Sequence, residues 1–254
     1  MPVNASPVIS IVTVVLNRAE TIEPALASLG AQTYSRWQHV VQDGGSTDET
    51  LAVLERLSDS RRTIVSEKDA GIYDGLNRAC GRCTGDVIGV LHSDDFYPSK
   101  DVLERVAEAF ADESVDAVYG DLDYVSAADP ERLIRRWKSG SYKRKSLERG
   151  WMPPHPAFFV RRRVIQEHGG YDTGLRIAAD YEAMLRWLTT DKIKLAYLPM
   201  VLMRMRLGGA SNGSIGRILA KSREDYIAIR RHGIGGIGTL ALKNLRKLPQ
   251  FLAR

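Results

Sequence analysis

Residues Val8 to Leu16 form a β-branched run held between Pro7 and Asn17, apolar at odd and even positions alike apart from Ser10 and Thr13. A strand with one wet face alternates, so a run apolar on both parities belongs to a strand covered on both sides, as in the centre of a parallel sheet. Parallel neighbours need long crossovers, and the following sequence supplies them. Glu20 to Leu29 places Ile22, Ala25, Leu26 and Leu29 at helical spacing, and Gln38 to Gln42 gives a second strand ending at Asp43. The turn Asp43-Gly44-Gly45-Ser46-Thr47-Asp48 combines flexible glycines with an N-cap for a helix over Asp48 to Leu57. Thr63 to Ser66, Ile72 to Cys83, Asp86 to His92, Val102 to Phe110 and Ala117 to Tyr119 repeat the pattern. The chain therefore reads as α/β, a Rossmann-like, mostly parallel sheet flanked by helices, with ligands beyond the carboxyl ends of its strands.

With 254 residues, 44% hydrophobic and 26% charged, the chain has enough apolar material for one substantial domain and an appended segment, which excludes a disordered tail protein or a coiled coil. Two cysteines, Cys80 and Cys83, can build neither a four-cysteine zinc site nor a secreted disulfide framework, and favour a reducing, cytoplasmic location. Their C-x-x-C closes a helix instead of opening one, so it reads as packing. The first residues lack a signal peptide's basic start, and no run reaches the ~20 apolar residues of a membrane span. Charge is unevenly placed: residues 211–254 hold nine Lys or Arg against Glu224 and Asp225. A near-neutral body with a basic tail points to an anionic surface, membrane or nucleic acid.

After about Val125 the strand-helix alternation stops. Arg132 to Arg163 carries eleven Lys or Arg with only Glu148 against them, interleaved with Trp137, Tyr142, Trp151, Phe158 and Phe159. This stretch reads equally as a substrate-facing loop region or as a solvated surface with packed rings. From Ser214 the pattern is helical, followed by the glycine-broken apolar run Ile234 to Leu242.

The polar residues with chemical potential fall where strands end: Thr13 and Asn17, Asp43, Glu67 and Asp69, then Asp94 with Asp95. Adjacent aspartates on an extended strand point to opposite faces, so both serve one site only if the chain turns there, as Phe96-Tyr97-Pro98 suggests. Hard carboxylate oxygens suit Mg²⁺ or Mn²⁺ carrying a diphosphate, one aspartate on the cation and the other on a sugar hydroxyl; an N-cap or turn role is the plainer alternative. Asp180 opens a helix bearing Tyr181, Met184, Leu185 and Leu188, where a carboxylate also favours the helix dipole. His155, between Pro154 and Pro156, reads as a ligand of the diphosphate or acceptor, or as a buried structural imidazole. Tyr73 reads as a stacking partner for a base or as core.

In order along the chain, Ile9-Ser10-Ile11-Val12-Thr13 to Asn17, Gln42-Asp43-Gly44-Gly45-Ser46-Thr47-Asp48, Glu67-Lys68-Asp69-Ala70-Gly71-Ile72-Tyr73-Asp74 and Leu91-His92-Ser93-Asp94-Asp95 resemble the family-2 glycosyltransferases of GT-A fold. The likeness continues through Pro154-His155-Pro156-Ala157-Phe158-Phe159, Gly169-Gly170-Tyr171-Asp172, Arg176-Ile177-Ala178-Ala179-Asp180-Tyr181 and Leu207-Gly208-Gly209-Ala210-Ser211. It implies an inverting, metal-dependent transferase that moves a sugar from a nucleotide-diphosphate sugar to a lipid-linked or polysaccharide acceptor in cell-surface glycan synthesis. Thr13, Asn17, Asp43, Asp69, Asp94 and His155 then correspond to donor binding, Asp43 to acceptance from the base, Asp94 and Asp95 to Mg²⁺ or Mn²⁺, and Asp180 to the catalytic base. The first position of the family's Asp-x-Asp block is His92 here, and the Gln-x-x-Arg-Trp block of processive synthases is absent, so single additions are expected. The implied layout is a catalytic domain over 1–210, divided into a nucleotide-binding half (1–125) and an acceptor-binding half (126–210), with a basic amphipathic extension over 211–254. That extension is read as contacting an anionic membrane on its cytoplasmic face, with no nucleic acid partner. The alternatives are a sugar-phosphate nucleotidyltransferase, although Asn17-Arg18-Ala19-Glu20 is no phosphate loop, and a non-catalytic basic membrane adaptor, which would leave the ordered carboxylates unexplained.

Overall fold

A computed structural model describes residues 6–190, 192–207 and 215–246. Strand β1 (Ile9–Val15) is buried on both faces, as its double-parity apolar run requires. Helix α1 (Ala19–Gly30) leads to β2 (Trp37–Asp43), α2 (Thr50–Arg56) to β3 (Arg62–Ser66), and α3 (Ile72–Gly81) to β4 (Val87–Val90). All four strands run parallel in the order β3-β2-β1-β4, with Ile9 opposite Trp37 and Val87, and Val15 opposite Asp43. Successive side chains of β1 enter different cores: Val12 packs with Leu76 and Ala79 of α3, whereas Ile9 and Ile11 pack with Ala25 and Leu29 of α1.

The second half is a mixed sheet. A two-residue strand, β5 (Asp95–Phe96), precedes α4 (Val102–Ala109), and β6 (Ala117–Ser126) forms a hairpin with β7 (Leu133–Trp137). After α5 (Arg144–Glu148) and a 3-10 turn at His155–Ala157, β8 (Phe158–Arg161) inserts antiparallel between β4 and β6. Helices α6 (Arg162–His168) and α7 (Ala179–Thr189) follow, and β9 (Leu195–Leu207) runs parallel to β6 with β5 antiparallel on its far edge. Between Tyr119 and Leu122 the β6–β9 register shifts opposite Pro199, where a residue without an N–H is tolerated. Much of the basic stretch that the sequence left open is structural. Arg161 donates to the carbonyls of Val115 and Phe110, Arg162 to that of Gly85, while Arg136 pairs with Asp123 and Arg163 with Asp116. Trp151, Phe158 and Phe159 are core.

Helices α8 (Ile215–Arg231) and α9 (Ile237–Leu245) fold back onto α7 and α5. Ala228, Ile229 and Ile234 join the core that holds Tyr181, Leu185 and Trp187. Lys243 forms a buried ion pair with Asp225 and lies 3.5 Å from the Tyr181 ring centroid. The proposed extension boundary at 210–211 and the block Gly208 to Ser211 lie outside the described residues.

One buried polar group carries a stability consequence. Thr13 Oγ1 donates to the Leu91 carbonyl (2.7 Å) and so accepts from His39 Nε2 (2.9 Å), whose Nδ1 accepts from Arg62 Nε (2.9 Å). Burial, then the Arg62 charge, pushes the His39 pKa from an ordinary 6.5 to about 3, so the ring is neutral in the fold. An unfolded chain protonates it and the folded one does not. Its stabilisation is therefore complete above about pH 6.5 and is lost as pH falls toward 3, at up to ~1.4 kcal/mol per pH unit. Thermal unfolding followed from pH 7 to pH 4 should show this fall, and His39→Asn should make it shallower.

Candidate active site

Four strand ends and the first turn of α7 converge. Asn17 leaves β1 in the left-handed region (φ +53°), which asparagine tolerates, and its amide Oδ1 accepts from Thr47 N (2.8 Å) while its own N donates to Ser46 Oγ (2.9 Å). This ties the end of β1 to the glycine loop after β2. Asp43 is fully buried beneath that loop: Oδ2 accepts from Gly45 N (3.1 Å), Ser46 N (3.0 Å) and Ser66 Oγ (2.7 Å), and Oδ1 from Ser46 Oγ. It therefore shapes the loop, and its carboxylate is spent on internal partners. Thr13 lies two residues inside β1 rather than at its end, and its hydroxyl is spent on Leu91 and His39 inside the sheet.

Asp69 lies in a glycine cradle. A Cβ at Gly44 would come within 3.0 Å of its Oδ2, and one at Gly75 within 2.9 Å of the same oxygen and 2.6 Å of Val14 Cγ1. Gly75→Ala should push Asp69 and raise the KM for a nucleotide donor by about tenfold, one bound hydrogen bond's worth, with the fold retained. A donor KM equal to wild type would remove Asp69 from the binding set.

The chain does turn at the paired aspartates: Asp95 N donates to His92 O (3.1 Å). Asp95 is fully buried, and neither carboxylate oxygen has a hydrogen-bond partner. Burial, then the neighbouring Asp94, pushes its pKa well above the usual carboxylate range, against the opposing charge and nearby backbone N–H of Arg206. Such a carboxylate is costly unless a cation meets it. No cluster of three or more His, Cys, Asp or Glu occurs among the described residues. The hard carboxylate oxygens of Asp94 and Asp95 are of the type that suits Mg²⁺ or Mn²⁺.

Asp180 stands in the first turn of α7, half-buried, with Oδ1 accepting a 3.2 Å contact from Tyr73 OH, which also donates to Ile177 O (2.8 Å). Burial raises its pKa, but the Lys221 and Lys243 charges and the Tyr181 N–H, joined by His155 only when that ring is protonated, hold the carboxyl below the ordinary value. Asp180 is therefore ionised at neutral pH. His155 is buried, its Nε2 2.9 Å from Tyr171 OH, with a pKa pushed by burial to about 4. Its ring centroid lies 6.1 Å from that of His92, whose titration feels both Asp94 and Asp180. Burial lowers the His92 pKa, against the opposing charges of Asp94 and Asp180, so both carboxylates lie within electrostatic reach of its ring.

The sequence did not point to the groups that hold this arrangement. Asn77 clamps Tyr171 through both main-chain groups (2.8 Å each), and Tyr171 stacks on Tyr73 with centroids 5.9 Å apart. The Glu224 carboxylate of α8 accepts from the N–H groups of Arg176 (3.1 Å), Ile177 (2.8 Å) and Ala178 (2.8 Å), the segment leading into α7. The one available signal was that Glu224 and Asp225 are the only acids in a basic tail. Cys80 and Cys83 are buried free thiols with pKa values raised by burial, in keeping with packing.

The PGL/p-HBAD biosynthesis glycosyltransferase of Mycobacterium tuberculosis is 31% identical over 220 residues, covering 82% of this chain and 80% of that protein. Among solved structures, a mannosyltransferase from Pyrobaculum calidifontis in complex with GDP-Man and Mn²⁺ superposes with a TM-score of 0.70 at 19% identity, over 98% of this chain and 74% of that one. Residues 1–349 of S. aureus TarS in complex with UDP-GlcNAc give 0.68 at 15% identity, over 89% and 65%. These superpositions agree with the α/β architecture read from the strand pattern and with the GT-A fold that the family resemblance implied. The family model for glycosyl transferase family 2 matches residues 10–169, from the first strand to Gly169, and the chain belongs to that family.

Proposed function

We propose that this glycosyltransferase moves a sugar, with inversion, from a nucleoside diphosphate sugar to a hydroxyl of a lipid-linked or polysaccharide acceptor, in the synthesis of a cell-surface glycan at the cytoplasmic side of a membrane. The observation that carries this is Asp180: a carboxylate in the first turn of α7, held below the ordinary pKa, whose oxygens form no ion pair among the described residues and of which Oδ1 accepts from Tyr73 OH. Asp172 and Glu182, the neighbouring acids, are committed to Arg231 (2.6 Å) and to Arg186 (3.0 Å) and His232 (2.8 Å). One uncommitted carboxylate is what a single displacement needs: Asp180 takes the proton of the acceptor hydroxyl as its oxygen attacks the anomeric carbon, the bond to the diphosphate breaks on the opposite face, and no covalent intermediate forms.

Asp94 and Asp95 would hold Mg²⁺ or Mn²⁺, which when bound neutralises the charge of the leaving diphosphate. Asn17 and Asp43 fix the glycine loop against which the nucleotide lies, and Asp69 presents its carboxylate from the glycine cradle. Neutral His155, packed against Tyr171, gives the sugar pocket a wall without adding charge. Family membership decides against the nucleotidyltransferase alternative. The GDP-Man and UDP-GlcNAc bound to the two superposed proteins support a nucleotide-sugar donor without choosing among them.

The test is a screen of UDP, GDP and dTDP sugars by thermal shift with Mn²⁺ or Mg²⁺, followed by NMR of the product. One donor should raise the melting temperature and be slowly hydrolysed, and the transferred sugar should have the anomeric configuration opposite to that of the donor. Retention of configuration would exclude the single-displacement mechanism.

A further inference from the structure

Helix α9 is amphipathic the wrong way round for a helix on a soluble domain. Its polar Thr239 and Lys243 are buried at 6% and 4% exposure, while Ile237, Leu242 and Leu245 are 74%, 44% and 56% exposed. Ile237, exposed Ala241 and Leu245 follow one another at i, i+4 and i+8, so the apolar residues form an outward stripe. Two more exposed aliphatics, Ile218 and Leu219, lie in the first turns of α8, which leaves only Leu16 and Ile72 among the large exposed aliphatics described elsewhere. The charges sort in the opposite sense. Both acids of 215–246 are turned inward, Glu224 onto the approach to α7 and Asp225 onto Lys243, while Arg217, Arg223, Arg230 and Arg246 are exposed.

We infer that the outward face of α8 and α9 docks on an anionic lipid bilayer. A second copy of this chain is the poorer occupant, because a two-fold contact would set arginines against arginines. An anionic surface neutralises them while the aliphatic stripe enters the headgroup layer. Neither signal is strong alone, and the pair gives reversible, salt-sensitive binding. The inference rests on the transferase reading only for its purpose, bringing the site to a lipid-linked acceptor. It also sorts the apolar tail: Ile234 and Leu240 pack inward, and Ile237, Leu242 and Leu245 remain for the membrane.

Truncation at 211 is a poor test, because it removes Glu224 and the core residues Ala228, Ile229 and Ile234. The full chain should instead be sedimented with phosphatidylcholine vesicles with and without phosphatidylglycerol, beside the triple variant Ile237→Glu, Leu242→Glu, Leu245→Glu. Wild type should pellet only with phosphatidylglycerol and weaken as salt screens the charges, and the triple variant should bind at least tenfold more weakly with an unchanged circular dichroism spectrum. If the triple variant misfolds, the single Ile237→Glu variant, at the most exposed position, should still weaken binding. Equal pelleting of variant and wild type, equal binding to neutral vesicles, or a wild-type dimer that the triple variant abolishes without any lipid binding would each overturn the inference. Vesicle binding is read without a donor sugar, so failure of the transferase reading would not be mistaken for failure of this one.

Discussion

Asp180→Asn should lower the rate of sugar transfer by ~10²-fold or more and leave donor affinity nearly unchanged. The amide keeps the size and the contact with Tyr73 OH but cannot take a proton from an acceptor hydroxyl. Single-turnover transfer together with nucleotide titration separates the two quantities. Because its environment holds Asp180 below the ordinary carboxylate pKa, the wild-type rate should carry no titration of this group near neutrality. Near-normal transfer by the variant would move the base to another residue, and the ion pairs of Asp172 and Glu182 make either an unfavourable substitute.

Asp95→Asn should separate activity from stability. Transfer is expected to fall by ~10²–10³-fold, the usual cost of removing a group that stabilises transition-state charge. Addition of EDTA to the wild type should produce the same loss, reversed by Mn²⁺ or Mg²⁺. Without metal, however, the variant should melt higher than wild type, because a fully buried carboxylate whose oxygens have no partner, beside a second carboxylate, is relieved of its charge. A gain of ~1–3 kcal/mol is in range for such a group, at about 2–4 °C per kcal/mol in a chain of this size. Full activity in chelator, or a lower melting temperature, would show that Asp95 has a structural rather than a cation-binding part.

Strand ends were legible because their cause is local. The double-parity run of β1, the helical spacing of α1 and the glycine loop after Asp43 each report their own conformation, and they place Asn17, Asp43, Asp69 and Asp94 at one edge of the sheet. Position does not give direction. Asp43 occupies that edge and Thr13 lies two residues inside β1, yet their side chains are taken by His39, Leu91 and the loop N–H groups, partners from other strands. The mixed half was illegible for a related reason. Strand β8 is four residues between a Pro-His-Pro turn and an arginine run, and β9 carries Pro199 where a register shift accommodates it. The glycines before and at the start of α9 hide the helical phase, so inward and outward aliphatics looked alike until packing separated them.

The Glu224 carboxylate lies 46 positions after Ala178, whose N–H it receives. At ~5–20 residues per second of synthesis, α7 is made several seconds before the group that fixes its start. During that interval the strands of the donor half are already complete, while the segment that carries Asp180 lacks its acceptor and the nearby charges of Lys221 and Lys243. On the proposed roles, the donor-binding strands are made before the group expected to act as base is fixed, and that fixing comes with the same two helices that present arginines and aliphatics outward.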